Sequence, residues 1–305
     1  MIIRPRPHGW QLLYILRGSI VKAIAPKVLA ILVLSIAVAA VVELAPPTGI
    51  ERVSVTPFTL LGLVLSIFLS FRNSACYDRW WEGRKLWGQL VFESRSLARQ
   101  VNLLLADDHG RRRRIAYVTT AFAHALAGRL RGRIVALMAL PWLDKRQREQ
   151  LGQRENVPDA LLSMIAAELA QALRAGDLDP ILYAQLEERL HAMSSIQAGC
   201  ERILTTPLPF AYTLLLHRCA WMFCVLLPFG LASSLGWGTP VLSAVLAYAF
   251  FGLDQLGEEM EDPFGLEPND LPLDALVRTI EIDQLDALGE RPLPEPLLPQ
   301  GYLLQ

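Results

Sequence analysis

The chain has 305 residues, of which 52% are apolar, and a formal net charge of −1, with a mean hydropathy of +0.32. That is too apolar for an ordinary soluble domain pair, so lipid is expected to solvate part of it, and the near-zero charge gives no reason to expect a nucleic-acid partner. The four cysteines, Cys76, Cys200, Cys219 and Cys224, form no CxxC pair, which argues against a disulfide scaffold or a zinc site.

In chain order, residues 1–27 read as a cytosolic N-terminal segment. It carries Arg4, Arg6, Arg17, Lys22 and Lys27 and no short apolar core leading to a cleavage site, so it is not expected to be an export signal. Val28 to Val42 runs without a charge, closes with Glu43 and meets Ala45-Pro46-Pro47. This is a first spanning helix followed by an outer loop. Val53 to Phe71 is again uncharged and matches the roughly 20 residues a spanning helix needs. Residues 28–71 are therefore assigned to transmembrane helices 1 and 2.

Residues 72–209 are expected to form a helical cytosolic domain, with breaks at Pro158 and Pro180. Within it, Ile115 to Leu140 is apolar but carries His124, Arg129, Arg131 and Arg133, so it reads as a helix packed on others rather than as a span. The run Arg111 to Arg114 could meet anionic headgroups or a neighbouring acidic face, and a solvated helix start explains it as well. From Cys219 to Leu253 there is no charge, and Gly236-Trp237-Gly238-Thr239-Pro240 interrupts the run. Residues 210–256 thus read as a hairpin of helices 3 and 4, Phe210 to Leu235 and Val241 to about Leu256. Residues 257–305 comprise an acidic segment and a Pro-rich tail, Pro292 to Gln305, extended and either loose or wrapped on a neighbour. Basic residues before span 1 and after span 2 place both termini in the cytoplasm, with four spans in a multi-pass membrane protein. The short tail and simple loops suggest a bacterial inner membrane.

The stretch Phe58 to Gly88, FTLLGLVLSIFLSFRNSACYDRWWEGRKLWG, runs from an apolar span straight into RNS and an arginine-tryptophan segment. With Glu201 to Tyr212, ERILTTPLPFAY, and Glu258 to Gly265, EEMEDPFG, it resembles the bestrophin family of ion channels, above all its bacterial members. The resemblance covers nearly the whole chain. It implies an all-α homopentamer in a lipid bilayer, with a membrane neck, a cytosolic vestibule and monovalent ions as the permeant partners. Chloride is the ion by analogy with vertebrate members, and bacterial relatives can favour cations.

Leu63, Ile67 and Phe71 recur every four residues beside the small stripe Gly62, Ser66 and Ser70. By periodicity alone Leu60, Val64 and Phe68 face a lumen as well. The resemblance favours Leu63, Ile67 and Phe71 as the pore neck, where apolar rings control wetting. It also implies a second ring at the cytosolic mouth from Ile181, after Asp179-Pro180, the alternative being a buried isoleucine at a helix start. Asp254, Glu258, Glu261 and Asp262 gather at the end of span 4, and Glu267 and Asp270 follow the DPFG segment. They could form a cation or gating site, or pair with Arg72, Arg79 or Arg84. Vertebrate bestrophins carry a longer acidic run that holds Ca²⁺ at this place. Here Leu266, Pro268 and Asn269 interrupt it, so no cofactor is expected and Ca²⁺ is kept only as an alternative. The five histidines show no ligand spacing, and no catalytic motif such as GxSxG, HExxH or a P-loop occurs. An enzyme is not expected. The rival reading is a non-conducting scaffold or receptor with a cytosolic docking domain.

Overall fold

The structure is a computed structural model that describes residues 1–5, 8–15, 18–44, 54–134, 139–152 and 154–305. Arg6, Pro7 and Arg17 of the basic segment, the Ala45-Pro46-Pro47 loop and Val53 at the start of the second span lie outside the described residues. The helices, in chain order, are α1 (Val21–Leu44), α2 (Thr56–Leu104), α3 (His109–Leu130), α4 (Lys145–Leu151), α5 (Val157–Ala175), α6 (Pro180–Thr205), α7 (Phe210–Leu235), α8 (Thr239–Glu261) and α9 (Leu273–Leu288). Among the described residues there is no strand beyond the isolated bridges of Ile2 and Gln300 to Leu303. The fold is all-α.

The chain divides into two units. One comprises residues 5–80 and 207–262. Its α1, α7 and α8 pack on one another, and with the first part of α2 they enclose an apolar core that includes Ile24, Ile31, Leu65, Leu69, Leu227 and Phe251. Trp221 tilts onto Phe251 and Phe223 sits edge-on to Phe250, each at 4.8 Å between centroids. Close approach depends on absent side chains: a Cβ on Gly62 would meet the Phe223 ring at 3.1 Å, and one on Gly252 would meet Ile20 at 3.3 Å. Such small-residue contacts are how helices associate where water supplies no driving force. Among the described residues three stretches are long and apolar enough to cross a membrane: Val21–Leu44, Thr56–Leu104 and Phe210–Glu261. The third is folded back at Gly236–Gly238 into α7 and α8.

The other unit comprises residues 1–4, 81–206 and 263–305. Its centre is α3, buried from Ile115 to Leu130 on nearly every side and packed on α5 and α9. The three arginines that argued against a span are each neutralised here. Arg129 meets Glu201 at 2.9 Å, and Arg131 and Arg133 share Asp274 at 2.7 and 3.4 Å. Arg131 also donates to the carbonyls of Phe264 and Leu271. Burial lowers its basicity, and the Asp274 carboxylate opposes that shift. Of the Arg111 to Arg114 run, three meet acids, the acidic-face alternative: Arg111 with Asp108 and Asp177, Arg113 with Glu290, and Arg114 with both oxygens of Glu168. Pro158 and Pro180 mark helix starts, capped by Asn156 and Asp179.

Helix α2 runs past the end of the apolar run at Phe71 and continues to Leu104, because no proline or turn cluster interrupts Arg72 to Leu104 and the residue types remain helix-compatible. The end of the tail is tied to residues of its own chain. Ile3 donates to the Tyr302 carbonyl at 2.8 Å, Leu304 to Met1 and Ala275 to Gln305, and the Arg4 guanidinium lies 4.3 Å from the Tyr302 ring centroid. The chain's own N-terminal residues supply the backbone partners that an extended tail lacks.

Candidate functional site

Helix α2 buries one face and leaves the other open. Leu65, Leu69, Arg72 and Cys76, spaced three and four apart, are buried. On the open side Leu63, Ile67 and Phe71 are 59%, 46% and 63% exposed, and Leu60, Val64 and Phe68 are 62%, 49% and 46% exposed. A single subunit thus leaves both stripes uncovered and does not choose between them. Of the small stripe, Gly62 faces Phe223, while Ser66 returns its hydroxyl to the Leu63 carbonyl. Ile181 stands in the first turn of α6 with its backbone N–H donated to the Asp179 carboxylate at 2.8 Å. It is 72% exposed in the single chain.

At the end of the same apolar run, Arg72 organises a charge cluster. Its guanidinium donates to Asp254 Oδ1 at 2.7 Å and to the Asp254 carbonyl at 3.3 Å, and lies 3.7 Å from Glu261. Asp254 Oδ2 is 2.7 Å from His217 Nδ1. Arg72 and Asp254 are almost wholly buried, with 2% and 4% of their side chains exposed. Gly257 makes the fit possible, since a Cβ there would meet Asn73 Oδ1 at 2.6 Å and the Arg72 guanidinium carbon at 3.4 Å. Arg79 donates to the Glu261 carbonyl, and the Leu208 N–H donates to the Glu261 carboxylate. A cleft of about 390 Å³ opens beside the cluster, lined by His217, Glu258 and Glu261 on one side and Phe210 and Leu214 on the other.

The acids of this region are held in different ways. Asp254 and Glu261 share Arg72, Glu258 is exposed at the cleft, and Asp262 caps the end of α8. Glu267 and Asp270 belong to the other unit, where Asp270 is buried and accepts from the Glu267 N–H at 2.7 Å, closing a turn. Among the described residues no group of three or more His, Cys, Asp or Glu side chains is placed to hold a metal ion. His217 was missed by a reading that sought ligand spacing. The usable signal was its position inside an apolar helix, where an ionisable side chain requires a partner.

The Bacterial/Fungal Bestrophin protein family model matches residues 1–286. The chain is 48% identical to a voltage-dependent anion channel-forming protein of Mesorhizobium japonicum, over 96% of this chain and 94% of that one. It is 41% identical to the voltage-dependent anion channel-forming protein YneE of Escherichia coli K12, over 99% of each. A bacterial bestrophin homolog from Klebsiella pneumoniae, a solved structure, superposes with a TM-score of 0.83 at 37% identity, covering 88% of this chain and all of that one.

Proposed function

The chain belongs to the bestrophin family, and from that premise we propose that it is one subunit of a pentameric membrane ion channel. The family places it among channels rather than enzymes. In this reading the hairpin α7–α8 contributes two crossings beside α1 and the start of α2, giving four, with both termini in the cytoplasm of a bacterial inner membrane. Five copies of α2 line the pore. Leu63, Ile67 and Phe71 form its neck and Ile181 a second ring at the cytosolic mouth. The observation that supports this best is the open side of α2: seven residues from Leu60 to Phe71 are large, apolar and exposed in a single chain, and a solvent-facing surface of that kind needs a cover. Ranged around an axis, apolar rings dehydrate and gate without binding ions tightly.

Conduction then requires no chemistry from the protein, only a passage that wets. The permeant species are small monovalent ions. The names of the relatives point to anions, but an apolar neck has no charge with which to choose, so ion sign is set outside it. The acids around Arg72 serve as its structural partners rather than as Ca²⁺ ligands.

The test is ion flux through purified protein in a planar bilayer under a salt gradient, comparing wild type with Ile67→Ala and Phe71→Ala. Larger currents in the two variants are the expected result. Silence in all three proteins moves the assignment to a non-conducting scaffold.

A further inference from the structure

The geometry points to Asp78 as the residue that sets ion preference, forming the first ring of charge below the neck and biasing the pore towards cations. This rests on the reading of Leu63, Ile67 and Phe71 as the neck.

At about 100° per residue, Asp78 lies within about 20° of the mean direction of Leu63, Ile67 and Phe71 around α2, and within about 40° of that of Leu60, Val64 and Phe68. It therefore faces the lumen whichever stripe lines the pore. Its exposure agrees with that placement, as does that of Ser74 one turn earlier. The two arginines on this part of α2 point elsewhere and are engaged by α8. Arg72 is buried against Asp254 and Glu261, and Arg79 donates to the Glu261 carbonyl at 3.2 Å. Both lie about 100° or more away from Asp78 around the helix. The Asp78 carboxylate has no ion-pair or hydrogen-bond partner among the described residues.

An exposed, unneutralised acid follows the apolar ring of Phe71 by seven residues, or about 10 Å along the helix axis. That is close to the Debye length of about 10 Å at 0.1 M salt, so the potential of such a ring reaches the constriction at low ionic strength and fades as salt rises. Of the two arginines nearest the neck, Arg72 is cancelled by Asp254 and Glu261 of α8, and Arg79 is turned to the Glu261 carbonyl, away from the Asp78 direction. Glu82, four residues beyond and about 40° around the helix, is paired with Arg202, and the next charge in line with Asp78, Lys85, comes seven residues along α2 and is farther from the constriction by the same distance.

The experiment is the reversal potential of purified channel in a planar bilayer under a KCl gradient below 0.1 M, for wild type, Asp78→Asn, Asp78→Lys, Lys85→Gln and the neck variant Ile67→Ala. Wild type is expected to prefer potassium. Asp78→Asn is expected to reduce the potassium-to-chloride permeability ratio by about threefold or more, Asp78→Lys to invert it, and the differences to shrink at high salt. Because Asp78 is exposed and unpartnered, both variants should retain the wild-type melting temperature in detergent. A wild-type pore that prefers chloride, or reversal potentials unchanged by both substitutions while current persists, overturns the inference and leaves the channel reading intact. A larger shift from Lys85→Gln than from either Asp78 variant also overturns it. Silence in every protein, Ile67→Ala included, removes the neck and the inference together.

Discussion

Arg72 is the most constrained side chain of the α1, α7 and α8 unit, because a buried guanidinium is tolerated only while its acids are in place. Removing one partner of such a pair costs about 3–5 kcal/mol, whereas removing both and filling the space with apolar atoms is often neutral. Arg72→Leu should therefore lower the melting temperature of the detergent-solubilised protein strongly, and the double variant Arg72→Leu, Asp254→Leu should recover much of the loss. A double variant as unstable as the sum of the singles would mean that the pair does not act as a unit. If the acids serve Arg72 rather than a metal, chelating Ca²⁺ should leave both current and melting temperature unchanged, and a shift in either on adding it back would restore a Ca²⁺ site. Arg72 and its candidate acids were legible from charge placement at the end of an apolar run. His217 was not, because its partner lies on another helix and sequence separation hides the contact. Asp78 was hidden for the converse reason: between Tyr77 and Arg79 it looks like any interfacial charge until its exposure and the absence of a partner among the described residues set it apart.

Helices were the most legible level, since apolar periodicity and turn clusters set both ends of α7 and the fold-back at Gly236. The extent of α2 was less so, because a loss of hydropathy marks the edge of lipid and not the end of a helix. The tail was illegible, as its partners, Met1 to Ile3, stand at the opposite end of the chain. One close helix contact makes a prediction at this scale. Gly230 of α7 lies against the ring of Phe58 in the first turn of α2, and a Cβ there would overlap ring carbons Cδ2 and Cε2. Overpacking of this kind costs about 1–3 kcal/mol. Gly230→Ala should lower the melting temperature, and adding Phe58→Leu should restore part of it, because the smaller side chain removes the obstruction. If the two substitutions merely add, the contact is not what the glycine protects.

The largest scale is the one at which a single chain is incomplete. Helix α1 packs on α8 and α7 and keeps one exposed face, and among the described residues the open side of α2 has no partner within the fold. Lipid can cover an outward face. A face ranged around an axis is covered by copies of itself, and a closed ring is the arrangement that gives every copy the same neighbours. With a subunit of 34.0 kDa, native mass spectrometry should give a particle of about 170 kDa, the mass of a five-membered ring. Position-specific cross-linking separates a pore from a lipid face within that particle. Cys76, Cys200 and Cys224 are buried and Cys219 is partly exposed, so a Cys219→Ser background provides a quiet protein in which to place single cysteines. In that background Phe71→Cys, at the narrow end of the proposed neck, should link neighbouring subunits through a short bifunctional thiol reagent. Leu29→Cys, on an exposed face of α1, should not. Linking at Leu29 and not at Phe71 would put α1 at the centre of the ring and remove α2 from the pore, and with it the neck at Leu63, Ile67 and Phe71.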